Sequence, residues 1–133
     1  MKKLATILFV SAFALAFAGC SEPDPVDENV TGELTEDDPR VEQDNSPYDE
    51  YRFEVAEGWT ITGDMQSSAF DTYLWLIGPD GQSLVQDDDG GDGTNSRVSY
   101  TAPSSGTYTF RANSYNGEGR GAYTLHYTAN PGQ

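Results

Sequence analysis

Residues 87–95, DDDGGDGTN, crowd four carboxylates into six consecutive positions. Asp87, Asp88 and Asp89 are adjacent, with Asp92 and Asn95 close behind. Neighbouring carboxylates repel, and a hard cation with oxygen ligands relieves that repulsion, so calcium is the cofactor such a cluster would take. The spacing does not follow the known calcium loops. An EF-hand loop opening at Asp87 would need an acid or Asn where Gly91 stands and a glutamate where Val98 stands. GGDGTN resembles one turn of a calcium-binding β-roll, but a single copy has nothing to stack on. The plainer alternative is that alternate aspartates cap loop amides while the others sit in water.

His126 is the single histidine. It falls between Leu125 and Tyr127, on the outward parity of a strand pattern, and no G-x-S-x-G elbow accompanies it. A general base needs a nucleophile and an orienting acid within hydrogen-bond reach, and nothing in the spacing supplies them. One histidine and one cysteine, Cys20, cannot build a zinc site. Paired carboxylates could hydrolyse a glycoside, but acids are too abundant here for any pair to stand out. A small carboxylate-dependent hydrolase is therefore the last of the readings, and a non-catalytic protein the first. Asp71 and Asp49 are expected to hydrogen-bond neighbouring loops rather than ligate.

Aromatic residues offer a different chemistry. Tyr73, Trp75 and Ile77 share one parity, opposite Leu74 and Leu76. If nothing covers them they form an apolar face suited to sugar stacking or to a protein partner. The alternative is a strand buried on both sides. Tyr115 and Asn116, in the glycine-rich loop from Ser114 to Gly121, can contribute to the same face.

Short strands must position all of these residues. Tyr73 to Ile77 is an apolar, aromatic-rich run that stops at Gly78-Pro79-Asp80-Gly81, a turn by composition. Ser83 to Gln86 returns from it. Arg97 to Thr101 alternates, and after APSSG so does Thr107 to Asn113, with Tyr108, Phe110 and Ala112 inward. Upstream, Val30 to Leu34, Tyr51 to Val55 and Trp59 to Met65 have the same period, and Ala122 to Thr128 closes the set. The polar segment from Thr35 to Tyr48 is expected to be a mobile loop. About eight short strands without an amphipathic helix predict an all-β, antiparallel β-sandwich, jelly-roll-like, with a core of Phe53, Trp59, Phe70, Tyr100, Tyr108, Phe110 and Tyr123.

The succession FDTYLWL, PDG, DDDGG, NSRVSYTAP and SGTYTFRA resembles the bacterial pre-peptidase C-terminal domain, from about Val30 to Thr128. The resemblance implies a compact β-sandwich of the kind appended to secreted peptidases and other exported proteins. Some collagenase-attached members bind calcium through an acidic segment ahead of the first strand. The counterpart here, EPDPVDEN, does not match well enough to carry those ligands over.

The N-terminus has a basic start, Met1-Lys2-Lys3, and an apolar run from Leu4 to Ala18 of signal-peptide length, short of the roughly 20 apolar residues of a membrane span. It ends in Phe17-Ala18-Gly19-Cys20, which resembles a bacterial lipobox and implies diacylglycerol on Cys20, with Ser21 implying export to the outer membrane. A lone cysteine also excludes an intramolecular disulfide. The domain order expected is a lipoprotein signal peptide at 1–19, an acidic tether at 20–29, the β-sandwich at 30–128 and a frayed tail at 129–133. The formal charge is −15. Both lysines lie in the signal, so five arginines against 22 acids leave the mature chain at −17. Such a chain repels nucleic acid and anionic surfaces. These observations together predict a monomeric binding module at the bacterial outer membrane or cell surface. It is held to the membrane by its lipidated N-terminus, and its partner is an envelope protein or polysaccharide. A calcium-stabilised structural surface protein is the alternative.

Overall fold

The computed structural model describes residues 22–91, 93–115 and 119–132. Eight strands follow one another: β1 (Val26–Leu34), β2 (Tyr48–Val55), β3 (Trp59–Gln66), β4 (Thr72–Ile77), β5 (Ser83–Asp87), β6 (Ser96–Thr101), β7 (Gly106–Ser114) and β8 (Gly121–Pro131). They form two antiparallel four-stranded sheets, ordered β1-β8-β3-β6 and β2-β7-β4-β5. That interleaving is the jelly-roll order, in which successive strands alternate between sheets except at the β4–β5 hairpin, and each sheet buries one face against the other.

The period-2 pattern decides which side chains meet. Ile61, Met65, Val98, Leu125 and Ala129 point inward from the first sheet; Phe53, Leu74, Leu76, Tyr108, Phe110 and Ala112 point inward from the second, and all are buried. Phe53 stacks on Phe110 at 5.4 Å between ring centroids, and Tyr127 of the facing sheet tilts against Phe53 at 5.2 Å and Phe110 at 5.7 Å. Gly63 leaves room for this cluster, since a Cβ there would stand 2.6 Å from Phe110 Cζ. Of the expected core, Tyr100 is only partly buried and packs at the margin.

One polar network crosses the interior. The Tyr51 hydroxyl lies 2.5 Å from that of Tyr123, which donates to Asp49 Oδ2 at 2.6 Å. Both phenols are pushed above their ordinary range, Tyr51 to about 12, chiefly because burial disfavours the phenolate. The two hydroxyls thus tie β2 of one sheet to β8 of the other.

Two expected boundaries move, and one expected loop packs against the sandwich. β1 begins at Val26, inside the expected tether, because all nine of its residues pair with β8, from Val26 with Ala129 to Leu34 with Gly121. The same pairing carries β8 through Pro131, past the expected start of the frayed tail, and Ala129 is fully buried. The segment after Thr35 is not the free loop expected. Val41 and Ser46 are buried, and Asn113 Nδ2 donates to Ser46 Oγ and to the Pro47 carbonyl, each at 2.8 Å. A buried amide that needs acceptors holds this loop against β7.

Candidate functional site

The expected turn at Gly78–Gly81 forms, with the Gly81 amide donating to the Gly78 carbonyl at 3.0 Å and Gly81 at φ 83°. It returns β5 alongside β4, so that Trp75 pairs with Gln86 and Leu74 with Asp87. On its other side β4 pairs with β7, placing Trp75 opposite Arg111 and Tyr73 opposite Asn113. Arg111 in turn faces Glu50 of β2, and Tyr48 faces Asn113. Four strands therefore lay one row, Glu50, Arg111, Trp75 and Gln86, across the outer face of the second sheet, with Tyr48, Asn113 and Tyr73 in the row beside it.

On this face β4 is neither open nor covered throughout. Tyr73 and Trp75 are half-buried, whereas Ile77 is buried. The edge of Trp75 meets Tyr73 at 5.3 Å between centroids, and Tyr73 tilts toward Tyr115 at 5.8 Å. Tyr115 is 43% exposed, the one large apolar side chain in that class among the described residues. All three aromatics expected on a binding face are thus contiguous.

Arg111 and Tyr48 join them, and sequence reasoning missed both. The guanidinium sits 4.4 Å from the Tyr48 ring centroid and 5.6 Å from that of Trp75, and its Nη2 lies 3.2 Å from Glu50 Oε2. A cation over a ring is drawn to the negative π-face, and partial burial strengthens the attraction. The indole Nε1 of Trp75 and Nε of Arg111 are buried without a hydrogen-bond partner among the described residues. Tyr73 donates its hydroxyl to Gln86 Oε1 at 2.6 Å. A shallow depression of about 360 Å³ continues the face past Arg111, between Glu50, Arg52, Thr109 and the Pro79 turn.

Carboxylates border the Tyr73 end. Leu74 faces Asp87, the last residue of β5, and Asp88 directly after it brings its charge to bear on Tyr73. Asp44 is brought over by the loop that Asn113 holds, with its Oδ1 accepting from the Ser46 amide at 3.0 Å and Oγ at 2.6 Å. Burial first, then the charges of Asp88 and Asp44 with Tyr115 between them, raise the Tyr73 phenol above its ordinary value.

The aspartates expected to hold calcium are engaged with the backbone. Asp87 Oδ2 accepts from the amides of Gly90 and Arg97, each at 2.8 Å, and Asp88 Oδ1 accepts from that of Asp89 at 2.8 Å. Asp92 lies outside the described residues, as do Cys20, the whole signal segment and Asn116. Among the described residues no group of three His, Cys, Asp or Glu side chains is arranged to hold a metal ion. Asp71 does not play the part expected of its side chain. Its carbonyl accepts from the Tyr115 amide at 2.9 Å, while its Oδ1 is buried without a partner among the described residues. Burial and then the charges of Asp89 and Asp88 raise its carboxyl above the usual range. His126 is outward, as expected, and 2.8 Å from Asp27 Oδ1 on the opposite face of the molecule.

Comparison with known proteins bears on this fold. Residues 47–114 match the family model of the bacterial pre-peptidase C-terminal domain. Similar solved structures include PliG of Aeromonas hydrophila, a periplasmic lysozyme inhibitor of g-type lysozyme. It is 14% identical, with a TM-score of 0.56, covering 87% of this chain and 93% of that one. Another is the pre-peptidase C-terminal domain of collagenase from Bacillus anthracis, 18% identical with a TM-score of 0.55, covering 77% of this chain and 89% of that one. No curated protein matches the chain.

Proposed function

The chain belongs to the bacterial pre-peptidase C-terminal domain family, and from that premise we propose that it is a non-catalytic binding module of the bacterial envelope, engaging a protein or polysaccharide through the outer face of β2-β7-β4-β5. The observation that carries this reading is the contiguous aromatic cluster of Tyr48, Tyr73, Trp75 and Tyr115 around Arg111, half-open to solvent. Aromatic residues and arginine are the side chains that dominate recognition surfaces, because they present large rigid areas at little entropic cost. The fold is consistent with such a role: PliG, which shares it, is a periplasmic lysozyme inhibitor. The remaining polar features look structural, the acidic turn capping its own amides and His126 paired with a single exposed carboxylate.

Residues 1–19 act as a lipoprotein signal, and Cys20 carries the lipid that holds the module to the outer membrane or cell surface. Support comes from the basic start, the apolar run and the Ala-Gly-Cys ending. Two acyl attachments at one residue would exceed the marginal anchoring of a single chain. Mass analysis of the mature N-terminus tests the anchor: an acylated peptide beginning at Cys20 is expected, and an unmodified peptide beginning elsewhere overturns it. Pull-down from envelope proteins and glycans tests the face. Capture is expected to fall about tenfold in Trp75→Ala, and undiminished capture would remove the face from the function.

A further inference from the structure

The aromatic face has two halves with different electrostatics. Over Tyr48 and Trp75 lies a cation of the chain's own, Arg111, balanced by Glu50. Beside Tyr73 and Tyr115 the charges are carboxylates. Asp88 directly follows Asp87, the end of β5 and the partner of Leu74, and Asp44 is fixed by its bonds to Ser46, which Asn113 holds across from Tyr73. The first half shows which group this arrangement of rings and acid accommodates. The second half repeats the arrangement with its outermost ring, Tyr115, exposed.

We propose that the Tyr73–Tyr115 half takes an arginine or lysine side chain of a basic exported protein, its cation over the rings and between the carboxylates of Asp44 and Asp88. The proposal rests on the reading of this face as a binding surface and names the partner's chemistry. Charge complementarity favours a protein of this kind over a neutral glycan. Residues 20–133 contain no lysine and carry a net charge of −17, so a basic surface is attracted at long range and an acidic one repelled. At contact, a ring face and a carboxylate act on a cation in the same direction. A sugar would gain from the rings but nothing from the acids.

The test uses the full chain extracted in detergent, with a fluorescent hexa-arginine peptide as the basic probe and chitohexaose as the neutral one, at about 150 mM salt to screen long-range attraction. Asp44→Asn with Asp88→Asn removes two charges while keeping the acceptors for Ser46 and Asp89. It is expected to raise the Kd of the peptide about tenfold, as is Tyr73→Leu with Tyr115→Leu. Tyr73→Phe with Tyr115→Phe keeps the rings and should bind within about twofold of the unaltered protein. Asp24→Asn with Glu28→Gln removes the same charge just before β1 and within it, and should also stay within about twofold. Equal weakening by that distant pair would overturn the proposal, leaving attraction by net charge alone. If the leucine pair lost chitohexaose and kept the peptide, the basic partner would be wrong and the binding face right. If it lost neither probe while melting normally, both would fall.

Discussion

The two outer faces of this sandwich are built on the same pleat and carry opposite chemistry. Across the first sheet, register lines up Asn29, His126, Asp64 and Arg97; across the second it lines up Glu50, Arg111, Trp75 and Gln86. Each row holds an arginine–carboxylate pair. In the first, Arg97 and Asp64 are 2.7 Å apart with side chains 61% and 32% exposed; in the second, Arg111 and Glu50 are 3.2 Å apart but 23% and 28% exposed. The longer contact is the better shielded one, and the Tyr48 and Trp75 rings flank it. Neighbours, rather than ion-pair distance, separate a solvated pair from a shielded one. Exposed pairs contribute little at any separation.

Both faces hang on one interior, and removing part of that interior should disturb both. Phe110→Ala deletes a fully buried ring that contacts Phe53 and Tyr127. It should cost about 3–5 kcal/mol in urea denaturation. Loss is expected in a single transition reported alike by tryptophan fluorescence and far-ultraviolet circular dichroism; two separated transitions would show the sheets to be independent.

Alkali offers a second way to strain the tie between the sheets. The Tyr51 phenol is raised from an ordinary value near 10 to about 12, so between those values the folded form holds a proton that the unfolded form has released. Stability is therefore fully present below pH 10 and falls as pH rises toward 12. Thermal melts across that interval should show the decline, and Tyr51→Phe should lessen its slope. An unchanged slope would mean that the buried hydroxyls do not couple the layers.

The faces themselves should respond unequally. Trp75→Ala strips a half-buried ring and a cation–π contact, and should cost about 2 kcal/mol. His126→Ala, which removes an exposed partner of Asp27, should stay within about 0.5 kcal/mol. Equal losses by urea denaturation would erase the distinction drawn between the two sides.

Alternation made the strands legible. Phe53 with Val55, Trp59 with Ile61, and Tyr108 with Phe110 each mark an inward parity that the fold keeps. Capping by Asp87 was legible too, since a carboxylate followed by glycines has amides within reach. What escaped was whatever depends on register between distant strands. Tyr48 and Arg111 are 63 positions apart in sequence, and only the pairing of β2 with β7 brings the ring beneath the guanidinium. The loop before β2 looked idle because its buried residues include Val41, alone among polar neighbours, and Ser46, itself polar. The amide that secures it, Asn113, sits on the outward parity of β7, where a solvated side chain was the natural expectation.

The pairing of Val26 with Ala129 has a practical corollary. The two extremities of the folded unit are side-by-side neighbours at one tip of one sheet. A host polypeptide could therefore carry this module as an insert, spliced into a surface loop through short connectors at both junctions. Equally, a brief linker could join the two tips and new ends be cut elsewhere, at the exposed Pro79–Gly81 bend for instance, leaving every strand in place.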